Sequence, residues 1–314
     1  MSKKILTTAL GLGLASALGA APATAAEPAH PAPSRVAVHF GLAAGQLPEN
    51  VALAPDGTAY VTFAAARQVA SVTPQGVIRV LATLPAPPDG GAATPVLKFA
   101  LTTGIVRLGD GTLYFLYASG DAGTTGLYRL PPGGTPQRVA ALPATGLPNG
   151  LALDERGRAF YITDSVLGVV FRVPLGGGTV TTWSSAPELA STGFLGANGV
   201  KVHRGAVWIT NLDRGTLLRI PLRPGPVAVR ATGLAGIDDI AFTGDGDEVL
   251  AALNGPNTVV RIAADGRAST VLTAADGLQN PTSVAVRGTT VYVFSAAYTT
   301  QTDPNLILTP RPRC

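Results

Sequence analysis

Six polar residues recur along this chain of 314 residues, each opening an apolar strand pattern: Glu49, Thr103, Asn149, Asn198, Asp238 and Thr282. Their spacings are 54, 46, 49, 40 and 44 residues. All six carry oxygen; two are carboxylates and two are carboxamides. Hard cations are bound by sets of this kind, Ca²⁺ taking about six to eight oxygen ligands at ~2.3–2.6 Å. Glu49 and Asp238 would offset its charge, while Asn149 and Asn198 would add neutral carbonyl oxygens that leave the ion electrophilic. A wide ring suits the small octahedral Mg²⁺ less well, although another divalent cation would use the same donors. No histidine falls in the set, which argues against Zn²⁺ or a facial iron triad. Asp239 follows Asp238 directly, and adjacent carboxylates disfavour each other's ionisation, which makes the pair candidate general bases. The competing reading is structural. Strand neighbours point to opposite faces, which would turn Asp239 towards the backbone, and Asn-Gly pairs also serve as plain turn formers.

The elements that must position these residues repeat with them. Each unit reads as a polar residue, an alternating apolar strand, a glycine turn and a second apolar strand, as in Glu49–Gly57 followed by Thr58–Thr62. Third and fourth strands follow in most units, separated by turns such as Pro132-Gly133-Gly134 and Ala264-Asp265-Gly266. A period of about 40–50 residues with several short strands is the signature of propeller blades. We therefore expect an all-β, six-bladed β-propeller, in preference to a β-sandwich. The sixth unit ends one strand short. The unassigned strand 35–40 is expected to pair into it and close the ring, removing a free edge. First strands would line the channel with the six polar residues at one end. The last residues of the second strands, Phe63, Tyr117, Asp164, Asn211, Asn254 and Ser295, would form a rim there, facing substrate or bonding their own loops. Thr103 and Thr282 would complete the substrate-facing rim.

The stretch Asn149-Gly150-Leu151-Ala152-Leu153, followed by Phe160-Tyr161-Ile162-Thr163-Asp164-Ser165, resembles the signature of the regucalcin/gluconolactonase family. The ring residues of units one, three, four and five resemble the calcium site of the wider superfamily, which includes diisopropyl fluorophosphatase and the paraoxonases. The resemblance implies a six-bladed propeller whose divalent ion is held by Glu49, Asn149, Asn198 and Asp238. The chain departs from it where Glu49 is followed by Asn50-Val51 instead of Gly-Pro. No channel histidine accompanies Asp239 either; His203 reads as a solvated turn residue.

Other features bound the function. Lys3 and Lys4, an apolar run to about Ala20 and Ala23-Thr24-Ala25 read as a cleaved secretory signal over 1–25. A Pro/Ala linker spans 26–34 and the propeller 35–314, giving a secreted or extracytoplasmic protein with no membrane attachment after cleavage. The formal charge of +4 falls to about +2 without the two lysines (4 − 2), with no basic run, which gives no support to nucleic-acid binding. Cys314 is the single cysteine, so no intrachain disulfide and no multi-thiolate metal site can form. No coiled coil or exposed helix face suggests assembly, and a monomer is expected. These readings lead to Ca²⁺-dependent hydrolysis of a small-molecule lactone or ester, with Asp238 or Asp239 as base. Two rivals stand: a non-catalytic binding propeller with a structural ion, and a propeller lyase, which would want a histidine or tyrosine base in the channel.

Overall fold

The computed structural model describes residues 33–312. The predicted signal, most of the linker and Cys314 therefore lie outside the described residues. The rest forms six four-stranded antiparallel sheets, with only three single-turn 3₁₀ segments as helix. The inner strands are Pro48–Leu53, Leu101–Arg107, Pro148–Asp154, Ala197–His203, Ile237–Phe242 and Pro281–Arg287. In blades one to five the chain then moves outwards strand by strand. Blade six differs as expected: its outer strand is Arg35–His39, antiparallel to Asn305–Pro310, with Arg35 opposite Leu308.

Alternation along these strands sends one set of side chains into the space between adjacent blades. Trp208 and Ile209 are fully or almost fully buried, with Trp208 edge-on to Phe242 of the next blade at 5.4 Å. Phe40 meets Phe63 at 5.1 Å and Phe294 at 6.3 Å, so the seam between blades six and one is aromatic. Tyr114 and Phe160 bridge blades two and three at 4.6 Å. Burying each such side chain contributes about 1.5–3 kcal/mol, and the packing is distributed around the ring in separate inter-blade clusters.

All six inner strands lose register against their second strands at the same place. The breaks fall between Pro48 and Asn50, Thr102 and Ile105, Pro148 and Leu151, Ala197 and Val200, Ile237 and Ile240, and Pro281 and Ser283. Each break brackets one of the six polar residues. A bulge of this kind re-aims side chains and suspends strict alternation, so consecutive residues can both serve the channel.

Candidate functional site

The six bulges need substitutes for the ladder bonds they give up, and threonines supply several. Thr62, Thr163 and Thr210, each near the end of a second strand, accept from the backbone N–H of Asn50, Gly150 and Gly199 at 3.1, 2.8 and 2.7 Å. Thr163 also donates to the carbonyl of Asn198, and Thr210 to that of Asp238 at 2.6 Å, tying each bulge to the next blade. Thr103 and Thr282 serve the same purpose from the ring itself. Their hydroxyls donate to Pro148 at 2.9 Å and Pro48 at 2.7 Å, the second across the closing seam. Both threonines are fully buried and hold neighbouring blades together.

Within this frame Glu49, Asn149, Asn198 and Asp238 occupy equivalent positions on four inner strands, all buried. The amides of Asn198 and Asn254 donate to the Asp238 carboxyl. The Oδ1 atom of Asn198 is left buried with no partner. Burial pushes the Glu49 carboxyl up to about 7, with the Asp239 charge adding to the rise and a hydrogen bond from Tyr298 opposing it. Asp238 is raised well above the ordinary carboxylate range, first by burial and then by the charges of Glu49 and Asp239. Both results follow from placing anions in a poorly solvated pocket beside one another.

Asp239 belongs to the same network but faces a different partner. Lys201, two residues beyond Gly199 on blade four, donates to both Asp239 oxygens at 2.7 Å. The Asn50 amide donates to it as well. Burial still raises the Asp239 carboxyl, against the pull of Lys201. With both oxygens engaged by an ammonium, Asp239 is poorly placed to take a proton from water. Asp239 thus combines a buried ion pair with a bond from the Ile240 backbone N–H, the contact its structural reading called for. Beyond Lys201 the channel widens towards the opposite face into a cavity of about 410 Å³, with Val51, Leu53, Ile105 and Val284 in its wall.

The expected rim is mostly enclosed. Phe63, Tyr117, Asp164 and Asn211 are completely buried. The Tyr117 hydroxyl donates to the Pro85 carbonyl at 2.7 Å, and Asn211 donates to Glu188 and Ala190. Asp164 Oδ1 accepts from Leu147, Val166 and Leu167. These residues fix loops, and only Asn254 of the group reaches the ring. Ser295 is buried with an unpartnered hydroxyl.

Tyr298 corrects the expectation of a channel without tyrosine. It lies in the 296–304 segment between the second and third strands of blade six, and its hydroxyl donates to Glu49 Oε2 at 2.5 Å. Asn280 holds this segment, its Oδ1 accepting from the N–H of Thr299 and Thr300. Ala297 adopts a left-handed conformation with φ 55° just before the tyrosine. No repeat spacing marks Tyr298. The threonine belt, by contrast, recurs as Val61-Thr62, Ile162-Thr163 and Ile209-Thr210, and Lys201 is one of only two lysines beyond residue 4. His203 also departs from the solvated reading: it sits at the far end of its strand, stacked on Phe242 at 3.8 Å and bonded to the Gly246 carbonyl.

No group of three or more His, Cys, Asp or Glu side chains placed to hold a metal occurs among the described residues. The residues that could hold a cation are the mixed set of Glu49, Asp238, Asn149 and Asn198.

No protein-family model matches the chain, and no curated protein matches it. Solved structures do. A calcium-binding regucalcin from Agrobacterium tumefaciens aligns with a TM-score of 0.63 at 18% identity, covering 88% of this chain and 98% of that one. A catalytically inactive histidine-to-alanine virginiamycin B lyase from Staphylococcus aureus, solved with quinupristin, aligns at 0.61 and 19%, covering 85% and 82%. A chain of a nidogen/laminin complex aligns at 0.58 and 18%, covering 82% and 94%. At these identities the likeness establishes the six-bladed propeller fold.

Proposed function

We propose that the axial ring holds a divalent cation, Ca²⁺ by its donor chemistry, and that the protein hydrolyses a lactone or small ester. One observation carries this reading: Glu49, Asp238 and Asp239 lie buried in one network that contains a single ammonium, Lys201. If all three carboxyls ionise, two negative charges lack compensation, and buried charge is retained where it is paired or binds a metal. The unpartnered Oδ1 of buried Asn198 is a neutral donor of the kind such an ion takes. The calcium-binding regucalcin among the structural neighbours agrees with the reading.

When bound, the cation would supply Lewis-acid stabilisation for negative charge developing on the acyl oxygen. The chain does the rest. Asn198 and Asn254 orient the Asp238 carboxylate, which accepts the proton of the attacking water. The water oxygen adds to the acyl carbon, the bond to the leaving oxygen breaks, and Asp238 returns the proton to that oxygen. Tyr298 donates to one Glu49 oxygen and so fixes the orientation of the carboxylate. Lys201 keeps Asp239 ionised without adding a third uncompensated charge.

A lyase reading gains from the channel tyrosine and the virginiamycin B lyase neighbour. That neighbour is inactivated by loss of a histidine, however, and His39 and His203 both lie away from the ring here, paired with Asp303 and with the Gly246 carbonyl. The proposal includes secretion as a monomer after cleavage near residue 25, which N-terminal sequencing and light scattering of the secreted protein would check.

Calorimetric titration of Ca²⁺ into chelator-treated protein, wild type and Glu49→Gln, tests the site. A lactone and ester panel on wild type and Asp238→Asn tests the chemistry. Saturable binding lost in the first variant, and turnover lost in the second with the fold intact, are expected. Binding without turnover on any substrate would support a binding propeller with a structural ion; no binding would overturn the metal reading.

A further inference from the structure

Further along the channel the inner strands form a second layer of a different kind. Three positions after each ring residue stand Ala52, Val106, Ala152, Lys201, Ala241 and Ala285. All six line the cavity of about 410 Å³ that opens towards the face opposite the ring. Four alanines leave the channel wide at this level, and the one long side chain among the six ends in an ammonium. One position further, Leu53, Leu153, Val202, Phe242 and Val286 continue the wall towards the mouth, each partly exposed. A volume of this size falls in the range of small-molecule sites.

The ammonium is only partly engaged. Of its three N–H groups two donate to the Asp239 oxygens at 2.7 Å, and among the described residues no acceptor takes the third. The Lys201 side chain is 27% accessible against 2% for Asp239, so a molecule in the cavity meets the lysine and not the carboxylate. The other charged residues of the wall stand at the mouth. Arg107, the last residue of its strand, lies over the Tyr60 ring at 5.7 Å and donates to the Leu108 carbonyl at 3.1 Å. Glu155 is exposed in the turn that follows its strand.

We infer that this cavity binds a small monocarboxylate, with its carboxylate on Lys201 and a short alkyl or aryl body against Leu53, Val202 and Val286. The inference stands on the cavity alone and is independent of what the ring binds. A carboxylate takes the third N–H in a charge-assisted hydrogen bond. The body covers apolar wall that water now meets, each buried methylene tightening binding by about three- to fourfold. Other ligand classes fit less well. A cation would meet the ammonium, and a neutral apolar molecule would displace water from an N–H that it cannot satisfy. A second negative charge on the ligand would face Glu155 at the mouth.

The test is calorimetric titration of butyrate, hexanoate, octanoate and the neutral hexanamide into the full protein, freed of divalent cations. Wild type is compared with Ala285→Leu, which narrows the cavity, and with the double variant Lys201→Met/Asp239→Asn, which removes the ion pair without stranding either charge. Thermal melting confirms that both fold, and the wild-type series decides alone if either does not. The expected result in wild type is affinity rising about three- to fourfold per methylene, with hexanamide about tenfold weaker than hexanoate. The double variant should bind hexanoate no better than hexanamide, and Ala285→Leu should weaken octanoate most. No saturable binding of any acid to wild type overturns the inference. So does hexanamide binding as tightly as hexanoate, a folded double variant that still prefers the acid, or a folded Ala285→Leu protein with an unchanged series. Because Ca²⁺ binding and lactone turnover are measured separately, the ring reading and this one can fail independently.

Discussion

Around the channel, blades two, three and four follow their ring residues with Gly104, Gly150 and Gly199, whereas blades five, six and one follow theirs with Asp239, Ser283 and Asn50. The glycine half is tight. A Cβ at Gly104 would stand 2.6 Å from the Asn149 carbonyl oxygen, and one at Gly199 would stand 2.5 Å from that of Asp238. The other half has space for side chains beneath the ring. The charges divide along the same line: the tight half offers Thr103, Asn149 and Asn198, and the open half offers Glu49, Asp238 and Asp239. A buried carboxylate needs several donors, and here Tyr298, Asn254, Asn50 and Lys201 provide them. A neutral amide needs fewer, so it can sit where backbones nearly touch. Charge in this ring therefore follows the room available for the groups that support it.

The largest effect should come from filling the tight half. Gly199→Ala drives a methyl into the Asp238 carbonyl and the Asp239 Cα, and overpacking of this kind costs about 3 kcal/mol. Chemical denaturation should register that loss together with weakened cation binding. Stability unchanged by the substitution would break the comparison.

Next is Lys201→Met, which strands buried Asp239. Losing one partner of a buried ion pair costs about 3–5 kcal/mol; because Lys201 is partly exposed, with 27% of its side chain accessible, about 2 kcal/mol is expected. Adding Asp239→Asn should recover most of it, and a double-mutant cycle in denaturant would measure the coupling.

Glu49 gives a pH signature. Its carboxyl titrates at about 7 in the folded protein against a usual 4.5, so the folded state holds a proton that the unfolded state has released. The stability of cation-free protein should then fall as pH rises from about 4.5 to about 7, with the loss complete above that window. Glu49→Gln should flatten part of the slope, while raised Asp238 and Asp239 keep the remainder. Melting temperatures from pH 4 to pH 8 would show it.

Tyr298→Phe should leave the fold intact and lower Ca²⁺ affinity about tenfold, as expected for loss of an orienting partner; equal affinity would leave the tyrosine only its packing against Leu101, Leu147 and Leu195. Smallest of all is Ser283→Ala in the open half. The Ser283 hydroxyl is buried without a partner, so its removal should be neutral or slightly stabilising in the same denaturation assay.

The architecture was legible because blades repeat: apolar alternation, glycine turns and the recurring polar residue carry the same message six times. The closing strand was legible from one missing strand and one spare. The ring positions followed from the repeat, but their surroundings did not. Asp239 was read as a candidate base with alternation away from the channel as its rival, and strict alternation could not decide between them because the bulge between Ile237 and Ile240 suspends it. Lys201 reaches Asp239 only because Gly199 leaves the space, a fact of two adjoining blades that neither segment records separately. Tyr298 comes from an irregular loop whose path depends on Asn280, with no period to mark it. For the rim the strand ends could not decide between facing substrate and bonding loops; Asp164 and Asn211 do the second, anchoring loops through bonds between segments distant in sequence.

Blade six joins the two extremes of the described chain, the Ser34 hydroxyl meeting that of Thr309 across 275 positions. The consequence is one of timing. Of the described strands the closing one emerges first and its partner last, so Arg35–His39 must wait while blades one to five stack into an open arc whose two end blades leave an apolar face uncovered. Such distant pairing is slow to form, and uncovered apolar faces invite association with other chains. Glu49 and Asp238, on blades separated by the last to be made, would face each other across a finished channel only at that final step. A chain arrested before Asn305 would carry every charged member of the ring and still have no site.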